Sequence, residues 1–487
     1  MSRPVPFAPA ALLALTLTFT LTLTACTGDG GDRGDTGGAH GTSGAAGLKD
    51  PYFPKMGNGG YDVTHYALTL DYDPDDNDLK AEAVITARAE QNLSAFNLDL
   101  KGLKVDGVKV DGAPARWNRA GQELTVRPAA GLTKDKTFRT TVRYSGSPKT
   151  ITDPDGSEEG WLRTGDDDEG HGVLALGEPT GSMTWFPGNH HPSDKATYDI
   201  TVTVPEGVRA VSNGELRSEG KSRSGGVTTT WHTAQPMASY LATVAIGPYV
   251  IRTSTTDDGL PVYVAVDPSQ VQDSRKVLDR IPEVMEWAED NFGAYPFTST
   301  GVIVDRPEAV GYALETQNRP VFPGAPDISL LVHELAHQWY GDSVTPESWR
   351  DMWLNEGFAT YAEWLWQEDH DGDSAQDTFD AVYEGDYFSD TESSEAVWDF
   401  PPADPPSAAR ISDSPVYERG AMVLHKIRET VGDDTFYDII RGWAATHRHG
   451  NASTADFTKY VEEKAPDEDF DVIWKEWLYG EGKPSSP

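Results

Sequence analysis

The chain has 487 residues, enough for two or three domains of ordinary size. Hydrophobic residues make up 38% of the chain and aromatic residues 10%, which is sufficient to fill the cores of globular domains. Lysine and arginine total 40 against 78 aspartate and glutamate residues, giving a formal net charge of −38. This charge argues against nucleic acid and against electrostatic binding to an anionic membrane surface. It serves solubility, and it also suits cationic peptides or amines.

Residues 1–25 have the features of an export signal. Arg3 precedes an apolar, threonine-rich run that is short for a transmembrane span and ends in small residues. Cys26, which follows, is the only cysteine, so an internal disulfide and a thiolate metal cluster are excluded. The tetrad LTAC that ends at Cys26 resembles the bacterial lipobox, which implies cleavage before this cysteine and attachment of lipid to its sulfur. The alternative is an ordinary signal peptide with an incidental cysteine.

The next two segments differ in amino-acid composition and in the pattern of their apolar residues. Residues 26–50 are rich in glycine, aspartate, threonine and alanine, and we predict a flexible tether there. Residues 51–255 alternate between apolar and polar side chains, with Gly, Pro, Asp and Asn at the turns, which predicts an antiparallel, β-sandwich-like domain. The acidic stretches 71–78 and 153–159 lack the full spacing of a calcium loop, so we interpret them as solvated hairpin turns.

A second domain, with both helices and strands, is predicted over residues 256–487. From about Ser274 the apolar residues recur at three- and four-residue steps, which predicts an amphipathic helix. A short strand (GVIVDRP), a second extended stretch (GYALETQNRPVF) and largely helical sequence follow. The sequence therefore predicts a multidomain α and β protein.

A metal site is indicated in the stretch HELAHQWYGD. His333 and His337 are four residues apart, so on a helix their imidazoles lie on one face and can bind one metal ion. Asp327 is a suitable N-cap for this helix, and Gly341 is suited to end it. Two histidines alone make a weak site, because a catalytic zinc usually has three protein ligands and one open position.

Glu356 is the candidate for the third ligand. It lies in a second predicted helix, WLNEGFATYAEWLW, with eighteen residues between it and His337, an interval that fits a loop and an antiparallel helix. Glu334 lies beside the histidines without being a ligand. A carboxylate in that position suits a general base that takes a proton from the attacking water and returns it to the leaving amine. The spacing therefore predicts a zinc hydrolase with one zinc ion per chain.

The segment HELAHQWYGDSVTPESWRDMWLNEGFATYAEW resembles the zinc segment of the gluzincin aminopeptidases, typified by aminopeptidase N and leukotriene hydrolase. The resemblance covers residues 61 to about 480, and it implies a β domain followed by a thermolysin-like α+β zinc peptidase domain. VYERGAMVLHKIRE is similar to the family stretch whose tyrosine stabilises the oxyanion, a role that falls on Tyr417. The chain ends where longer members continue into a helical domain, so we expect a more open pocket that admits larger peptides.

The family recognises a free amino terminus with two glutamates, and the resemblance assigns both. GYALETQNRP aligns with the edge-strand motif G-x-M-E-N, which places Glu315 in the first role, although Tyr312 and Thr316 replace the usual Gly and Asn. WFPGNHHPSDKATYDI aligns with a family segment of the β domain, and counting back from it places Glu178 in the second role, with Leu176 where a Gln is usual.

The family has no ligands at the positions of His190 and His191, so we interpret these two residues as structural.

The sequence thus predicts an exported zinc aminopeptidase, anchored through lipid on Cys26 to the outer face of the bacterial cell membrane, that acts on peptides with a free N-terminus. A zinc endopeptidase with an open cleft is the first alternative. An epoxide hydrolase would share zinc and Glu334 but needs a long apolar tunnel, of which the sequence shows no sign. A surface binding protein without catalysis is the third alternative. The preferred N-terminal residue and the oligomeric state stay open.

Overall fold

The computed structural model describes residues 41–164, 172–223, 225–307 and 310–487. The predicted signal peptide, the LTAC tetrad and Cys26 lie outside these residues. Within the described residues, no helix combines the length and the apolar character that crossing a bilayer requires.

The predicted tether ends earlier than residue 50. Thr42–Ser43 form a short strand that runs parallel to the strand beginning at Leu93. The Asp50 carboxylate is buried and accepts hydrogen bonds from the backbone N–H groups of Tyr52 and Trp349. The prediction of flexibility is therefore wrong for residues 41–50, because composition does not reveal these distant backbone partners.

The N-terminal domain is built from β-strands. In chain order they are β1 (Thr42–Ser43), β2 (Tyr61–Asp73), β3 (Asp78–Ala89), β4 (Leu93–Asp99), β5 (Lys104–Val110), β6 (Ala113–Pro114), β7 (Arg116–Ala120), β8 (Glu123–Arg127), β9 (Thr137–Gly146), β10 (Thr150–Thr152), β11 (Glu158–Thr164), β12 (Gly172–Leu176), β13 (Lys195–Val204), β14 (Arg209–Ser212), β15 (Glu215–Lys221), β16 (Val227–Ala238) and β17 (Val244–Gly247). They form sheets in the orders β15-β16-β13-β2-β3-β9-β5-β6, β10-β11-β12-β17-β14 and β1-β4-β8-β7.

The pairing departs from the antiparallel prediction at two places. β2 and β13 pair in parallel, with Tyr66 beside Tyr198, and β1 is parallel to β4. These partners are far apart in sequence, so no hairpin fixes their direction. Every second residue of β13 is buried, as alternation predicts, whereas β12 and β17 are buried throughout. The five-stranded sheet is therefore covered on both faces at β12 and β17.

A further sheet opens the second domain. Its order is β18 (Val250–Thr255), β19 (Pro261–Val266), β20 (Thr300–Asp305) and β21 (Val321–Pro323). β18 forms a hairpin with β19, so the predicted boundary after residue 255 divides a hairpin, and strand pairing places the boundary before Val250. β22 (Thr345–Pro346) and β23 (Asn451–Ala452) make a small parallel pair.

The helices of the second domain follow the predicted order. They are α1 (Val271–Leu278), α2 (Ile281–Phe292), α3 (Ile328–Ala336), α4 (Trp353–Asp369), α5 (Ala375–Glu384), α6 (Thr391–Ala396), α7 (Gly420–Val431), α8 (Asp433–Thr446) and α9 (Thr454–Lys464). The single amphipathic helix predicted from Ser274 is two helices. Pro282 lies in the first turn of α2, where its missing N–H is tolerated, and this position marks a new helix start. The predicted order of a β domain followed by an α+β domain is confirmed.

Candidate active site

His333, His337 and Glu356 converge at one point between α3 and α4. One carboxylate oxygen of Glu356 lies 3.3 Å from the Nε2 atom of His333 and 3.3 Å from the Nε2 atom of His337. All three side chains are buried. The predicted antiparallel helix after the loop therefore does bring Glu356 to the two histidines.

The sequence positions α3 through its N-cap. The Asp327 carboxylate accepts a hydrogen bond from the Leu330 N–H, as predicted. The regular helix ends at Ala336 rather than near Gly341, because the N–H groups of Gln338 and Trp339 bond three residues back and tighten the turn. His337 keeps helical backbone angles and its N–H still bonds to the His333 carbonyl, so the two imidazoles stay on one face.

Each histidine is held by its other ring nitrogen. The Nδ1 atom of His333 lies 2.8 Å from a carboxylate oxygen of Glu363, and that of His337 lies 3.0 Å from the Tyr340 carbonyl oxygen. Both partners are acceptors, so each Nδ1 carries the proton and each Nε2 presents its lone pair to the shared point. A divalent metal ion fits this arrangement, because metal-binding histidines are usually oriented in this way.

The local potential also favours a cation. Burial lowers the pKa of His337, but the carboxylates of Glu356 and Glu315 outweigh burial and raise it to about 9. The carboxylates thus stabilise positive charge at the point where the Nε2 atoms converge. Two imidazoles and one carboxylate whose ligand atoms lie within 4.8 Å of one another are a donor set that zinc takes in hydrolases.

Glu334 lies beside this centre and lines the same cavity. Its side chain is buried, and one of its carboxylate oxygens has no hydrogen-bond partner. Burial raises its pKa to about 8, with Glu315 and Glu356 adding to the shift and the two histidines opposing it. Such a carboxyl group exchanges a proton near neutral pH, as general acid-base chemistry requires.

Tyr417 lines the cavity from the turn before α7. Its ring is stacked on the His333 ring, with the two centroids 6.2 Å apart. Burial, followed by the carboxylates of Glu356 and Glu178, raises the pKa of its phenol well above the usual value, so the hydroxyl keeps its proton and can donate it. The predicted hydrogen-bond donor is therefore in reach of the metal centre.

A close contact between helices brings Tyr417 to Glu356. The Pro415–Arg419 turn has π-helical hydrogen bonding and runs directly into α7 at Gly420. A Cβ atom added to Gly357 would meet the Gly420 Cα at 3.0 Å, so α4 and this turn approach through two glycines. The Arg419 guanidinium, which is buried, donates to the carbonyls of Trp477 and Glu476 and fixes the turn from behind.

Glu315 and Glu178 lie together beside the metal centre. Single oxygens of Glu178, Glu315 and Glu356 lie within 4.8 Å of one another. One carboxylate oxygen of Glu178 and one of Glu315 have no hydrogen-bond partner, although both atoms are buried. Burial and the neighbouring carboxylates raise the pKa of Glu178 well above its usual value. Buried carboxylates in this state attract a positively charged group.

The turn after Glu315 is fixed by both domains. Gln338, which follows the ligand His337, donates to the Glu315 carbonyl and accepts from the Asn318 N–H. From the β domain, Asn213 donates to the Gln317 carbonyl. Arg319 lies between two aromatic rings, 4.8 Å from the Trp231 centroid and 4.7 Å from the Tyr263 centroid. The position of Glu315 is therefore set by the zinc helix and by the β domain together.

The predicted edge strand is less regular than expected. Leu314 makes a single antiparallel bridge to Val321, and a turn follows Glu315 in place of a continuous strand. Tyr312, which replaces the first glycine of the motif, donates its hydroxyl to the Glu158 carbonyl. Thr316, which replaces the asparagine, donates to the Arg319 carbonyl inside the turn.

One cavity of about 420 Å³ contains all these groups. Its lining includes the predicted residues Glu178, Glu315, His333, Glu334, His337, Glu356 and Tyr417. His190 and His191 do not line it. Both ring nitrogens of His190 have protein partners, Ser239 and the Phe186 carbonyl, which agrees with the predicted structural role. Cys26 lies outside the described residues.

Several residues of the site are missing from the sequence-based prediction. Glu363 could have been found, because it lies seven residues after Glu356 and therefore two helical turns along the same face of α4. Gln338 carries no comparable signal, since its role depends on where a distant turn folds. Asp153 and Asp155, which also line the cavity, were interpreted only as turn residues.

Two family models match this chain. The Peptidase M1 N-terminal domain matches residues 62–241, and the Peptidase family M1 domain matches residues 280–477. Glutamyl aminopeptidase of Sus scrofa is 27% identical over 315 residues, which cover 59% of this chain and 32% of that protein. Probable aminopeptidase 2 of Sulfurisphaera tokodaii is 25% identical over 346 residues, covering 63% of this chain and 41% of that protein. The match thus spans about a third of the length of the mammalian relative.

Solved structures match over nearly their whole length. An M1 zinc metallopeptidase from Deinococcus radiodurans superimposes with a TM-score of 0.81 at 29% identity, covering 91% of this chain and 98% of that one. A glutamate-to-alanine variant from the same organism, solved with a Tyr-Ser-Ala substrate, has a TM-score of 0.81 at 28% identity, covering 91% and 99%. The two-domain architecture is therefore shared with zinc metallopeptidases.

Proposed function

Since the chain belongs to peptidase family M1, we propose that it is a zinc aminopeptidase that removes the N-terminal residue from peptides. The observation that carries the proposal is the pair Glu178 and Glu315. Each places one oxygen within 4.8 Å of the other and of Glu356, and each has a buried oxygen without a hydrogen-bond partner. A buried ammonium group requires carboxylate partners. A peptide amine bound there would present its first peptide bond to the metal centre.

Each side chain then has a defined task. Zinc held by His333, His337 and Glu356 would supply Lewis-acid chemistry, polarising the scissile carbonyl and lowering the pKa of a water molecule to about 7. Glu334 takes the proton from the attacking water and returns it to the leaving amine. Tyr417 donates its phenolic proton in a hydrogen bond to the carbonyl oxygen as negative charge develops there.

The charges of the cavity support this assignment. Glu178, Glu315, Glu334 and Glu356 together provide up to four negative charges in one buried region. A zinc ion supplies two positive charges, and a substrate ammonium supplies a third. The protonated phenol of Tyr417 contributes no further negative charge. A substrate without a free amine would leave Glu178 and Glu315 buried and unpaired, which is unfavourable.

The cleavage pattern on an unmodified decapeptide tests the proposal. Mass spectrometry over time should show stepwise loss of single residues from the amino end, abolished by a zinc chelator and restored by added zinc. Internal fragments that appear before the shortened peptides would favour the endopeptidase alternative. No hydrolysis of any peptide by the zinc-loaded protein would favour a binding protein without catalysis.

For the location of the enzyme, we propose export and attachment to the outer face of the bacterial cell membrane through lipid on Cys26. The proposal is supported by the apolar run before this cysteine, by the small residues next to it, and by its being the only cysteine of the chain. The Cys26→Ser variant should be released from the membrane fraction and should not incorporate a labelled fatty acid. The neighbouring Thr27→Ser variant is the control. Tight membrane association of Cys26→Ser would contradict the anchor.

A further inference from the structure

A second group of acidic residues lines the same cavity as Glu178 and Glu315. Asp153, Asp155 and Ser157, all in the turn between β10 and β11, line the cavity together with Tyr312. We call Asp153, Asp155, Ser157 and Tyr312 the outer wall. None of these four residues is needed to hold the metal or to activate water, so another function has to explain their position in the cavity.

Tyr312 links the β10–β11 turn to the segment that carries Glu315. We call Glu178 and Glu315 the amine end of the cavity. Its hydroxyl donates to the Glu158 carbonyl at 2.9 Å, and its backbone lies three residues before Glu315. The segment that carries Glu315 is thereby joined to the β10–β11 turn. Tyr312 lines the cavity, whereas a glycine at this position would contribute no side chain to it.

The outer wall belongs to the same cavity as the two glutamates proposed to bind the amine. Glu178, Glu315 and Glu356 each place one oxygen within 4.8 Å of the others. Asp153 and Asp155 line the cavity that contains these three glutamates. A peptide with its amine between Glu178 and Glu315 and its scissile bond at the metal would have its first side chain in this cavity, where the outer wall is available to it.

The charges around this position are of one sign. Among the described residues, no lysine or arginine lines the cavity. Asp155 is exposed, and one of its oxygens accepts from the N–H and hydroxyl of Ser157. At the amine end, one oxygen of Glu315 has no partner although the residue is only 2% exposed. The described lining of the cavity thus offers no cationic side chain to Asp155 or to Glu315, and a substrate could supply one at each.

We propose that this cavity selects peptides whose first residue is arginine or lysine, with Asp155 and Asp153 facing the cationic end and Tyr312 covering its alkyl stem. The proposal rests on the proposed aminopeptidase function and specifies its substrate class. Arginine and lysine carry their charge at the end of a long side chain, and arginine also stacks on aromatic rings. Glutamate in this position would face like charges, so the preference differs from what the name of the Sus scrofa relative, glutamyl aminopeptidase, indicates for that protein.

The state of Asp153 agrees with this selection. Burial, Glu159 and Asp155 raise its pKa to about 8, while Lys101 opposes the shift. A cation bound beside Asp153 would stabilise the ionised form of its carboxyl group. Asp155 is exposed.

Two pairs of fluorogenic substrates test the selection in the zinc-loaded enzyme. Arginine and citrulline have nearly the same shape and differ in charge, as do glutamate and glutamine. We expect kcat/KM for the arginyl substrate to exceed that for the citrullinyl substrate by about tenfold or more, as a charge-assisted hydrogen bond allows. The glutamyl substrate should be cleaved more slowly than the glutaminyl substrate.

The variant Asp155→Asn assigns the effect to the outer wall. Asparagine keeps the oxygen that accepts from Ser157 and removes the charge, so the arginine-to-citrulline ratio should fall by about threefold to tenfold. Asp153→Asn should lower the same ratio. Asp467→Asn, an exposed residue outside the cavity lining, changes the net charge equally and should keep the ratio.

The outcomes separate this proposal from the proposed function. Equal or faster cleavage of the citrullinyl substrate, or an unchanged ratio in Asp155→Asn, would overturn the selection while leaving the aminopeptidase intact. Faster cleavage of the glutamyl substrate on addition of calcium would also overturn it, because the outer wall would then bind a metal ion. Failure to cleave every free aminoacyl substrate would overturn the function and the selection together.

Discussion

The two ends of the cavity differ in how their polar groups are satisfied. At the metal end, the Nδ1 atoms of His333 and His337 are held by Glu363 and the Tyr340 carbonyl, and both Nε2 atoms point at Glu356. At the amine end, Glu178 and Glu315 each keep a buried oxygen without a partner. Buried polar atoms are rarely left unpaired in a folded protein. The metal end is thus organised by the protein itself, whereas the amine end keeps acceptor oxygens that, in the proposed function, pair with the substrate amine.

Glu334 lies between the two ends, and its substitution is expected to have the largest effect on turnover. Gln at position 334 keeps the size of the side chain but cannot exchange a proton, so kcat should fall by about 10²- to 10⁴-fold. Zinc content, measured by elemental analysis, should stay at one per chain because Glu334 is not a ligand. Turnover close to that of the unmodified enzyme in the zinc-loaded variant would contradict its role.

Glu315→Gln should damage only the amine end. The variant removes a charge that pairs with the substrate ammonium, so kcat/KM for free peptides should fall by up to about 100-fold, mainly through KM. Zinc affinity should change little, since Glu315 is not among the three converging ligands. Glu286→Gln, on the exposed side of α2, is the matched control. A loss of zinc in Glu315→Gln without a rise in KM would show that the two ends are not separate.

Glu363→Gln should damage only the metal end. The amide still reaches His333 but no longer carries the charge that supports it, so zinc affinity should fall by about tenfold. Competition with a chelating dye measures this affinity. With saturating zinc, KM for free peptides should be close to that of the unmodified enzyme. An unchanged zinc affinity would mean that the bond between His333 and Glu363 does not support the metal.

Asp50 lies outside the cavity lining, and its substitution is expected to have the smallest effect on activity. Its carboxylate accepts from Ser348 and Trp349, at the short turn that leads into the helix carrying Glu356. Burial raises its pKa, but the neighbouring His191 imidazole and hydrogen bonds from backbone N–H groups outweigh burial and lower it to about 2. Because the folded pKa lies below the usual value of 3.8, the stabilisation is present above about pH 4 and is lost as the pH falls towards 2.

Asp50→Asn should therefore lower the free energy of unfolding by about 2 kcal/mol near pH 6, and the difference should shrink as the pH falls below 4. Chemical denaturation at several pH values measures it. Turnover at pH 7 should change little, since Asp50 does not line the cavity. A difference that does not depend on pH would mean that the Asp50 charge is not responsible.

The local part of this site could be predicted from the sequence. His333, Glu334, His337 and Glu356 lie in two consecutive helices, so their spacing alone brings them together. The Asp327 cap follows from the same local rules. The alternation of buried residues in β13 could also be predicted from its alternating apolar and polar side chains.

The remaining part depends on contacts between distant segments. Glu178 is in the β domain and Glu315 is beyond α2, and only the family resemblance related them before the structure was known. The outer wall combines the β10–β11 turn with Tyr312, which are more than 150 residues apart, as the hydrogen bond between Tyr312 and Glu158 records. The prediction of flexibility for residues 41–50 was wrong for the same reason, because Asp50 has a partner, Trp349, far along the chain.

The most direct test of the division between the two ends compares one peptide in free and N-acetylated form, with the unmodified enzyme and with Glu315→Gln. We expect acetylation to reduce kcat/KM of the unmodified enzyme by at least about 100-fold, because Glu178 and Glu315 would be left unpaired. In Glu315→Gln the free peptide should lose most of this advantage. Equal cleavage of the two forms by the unmodified enzyme would contradict the account and would favour an endopeptidase.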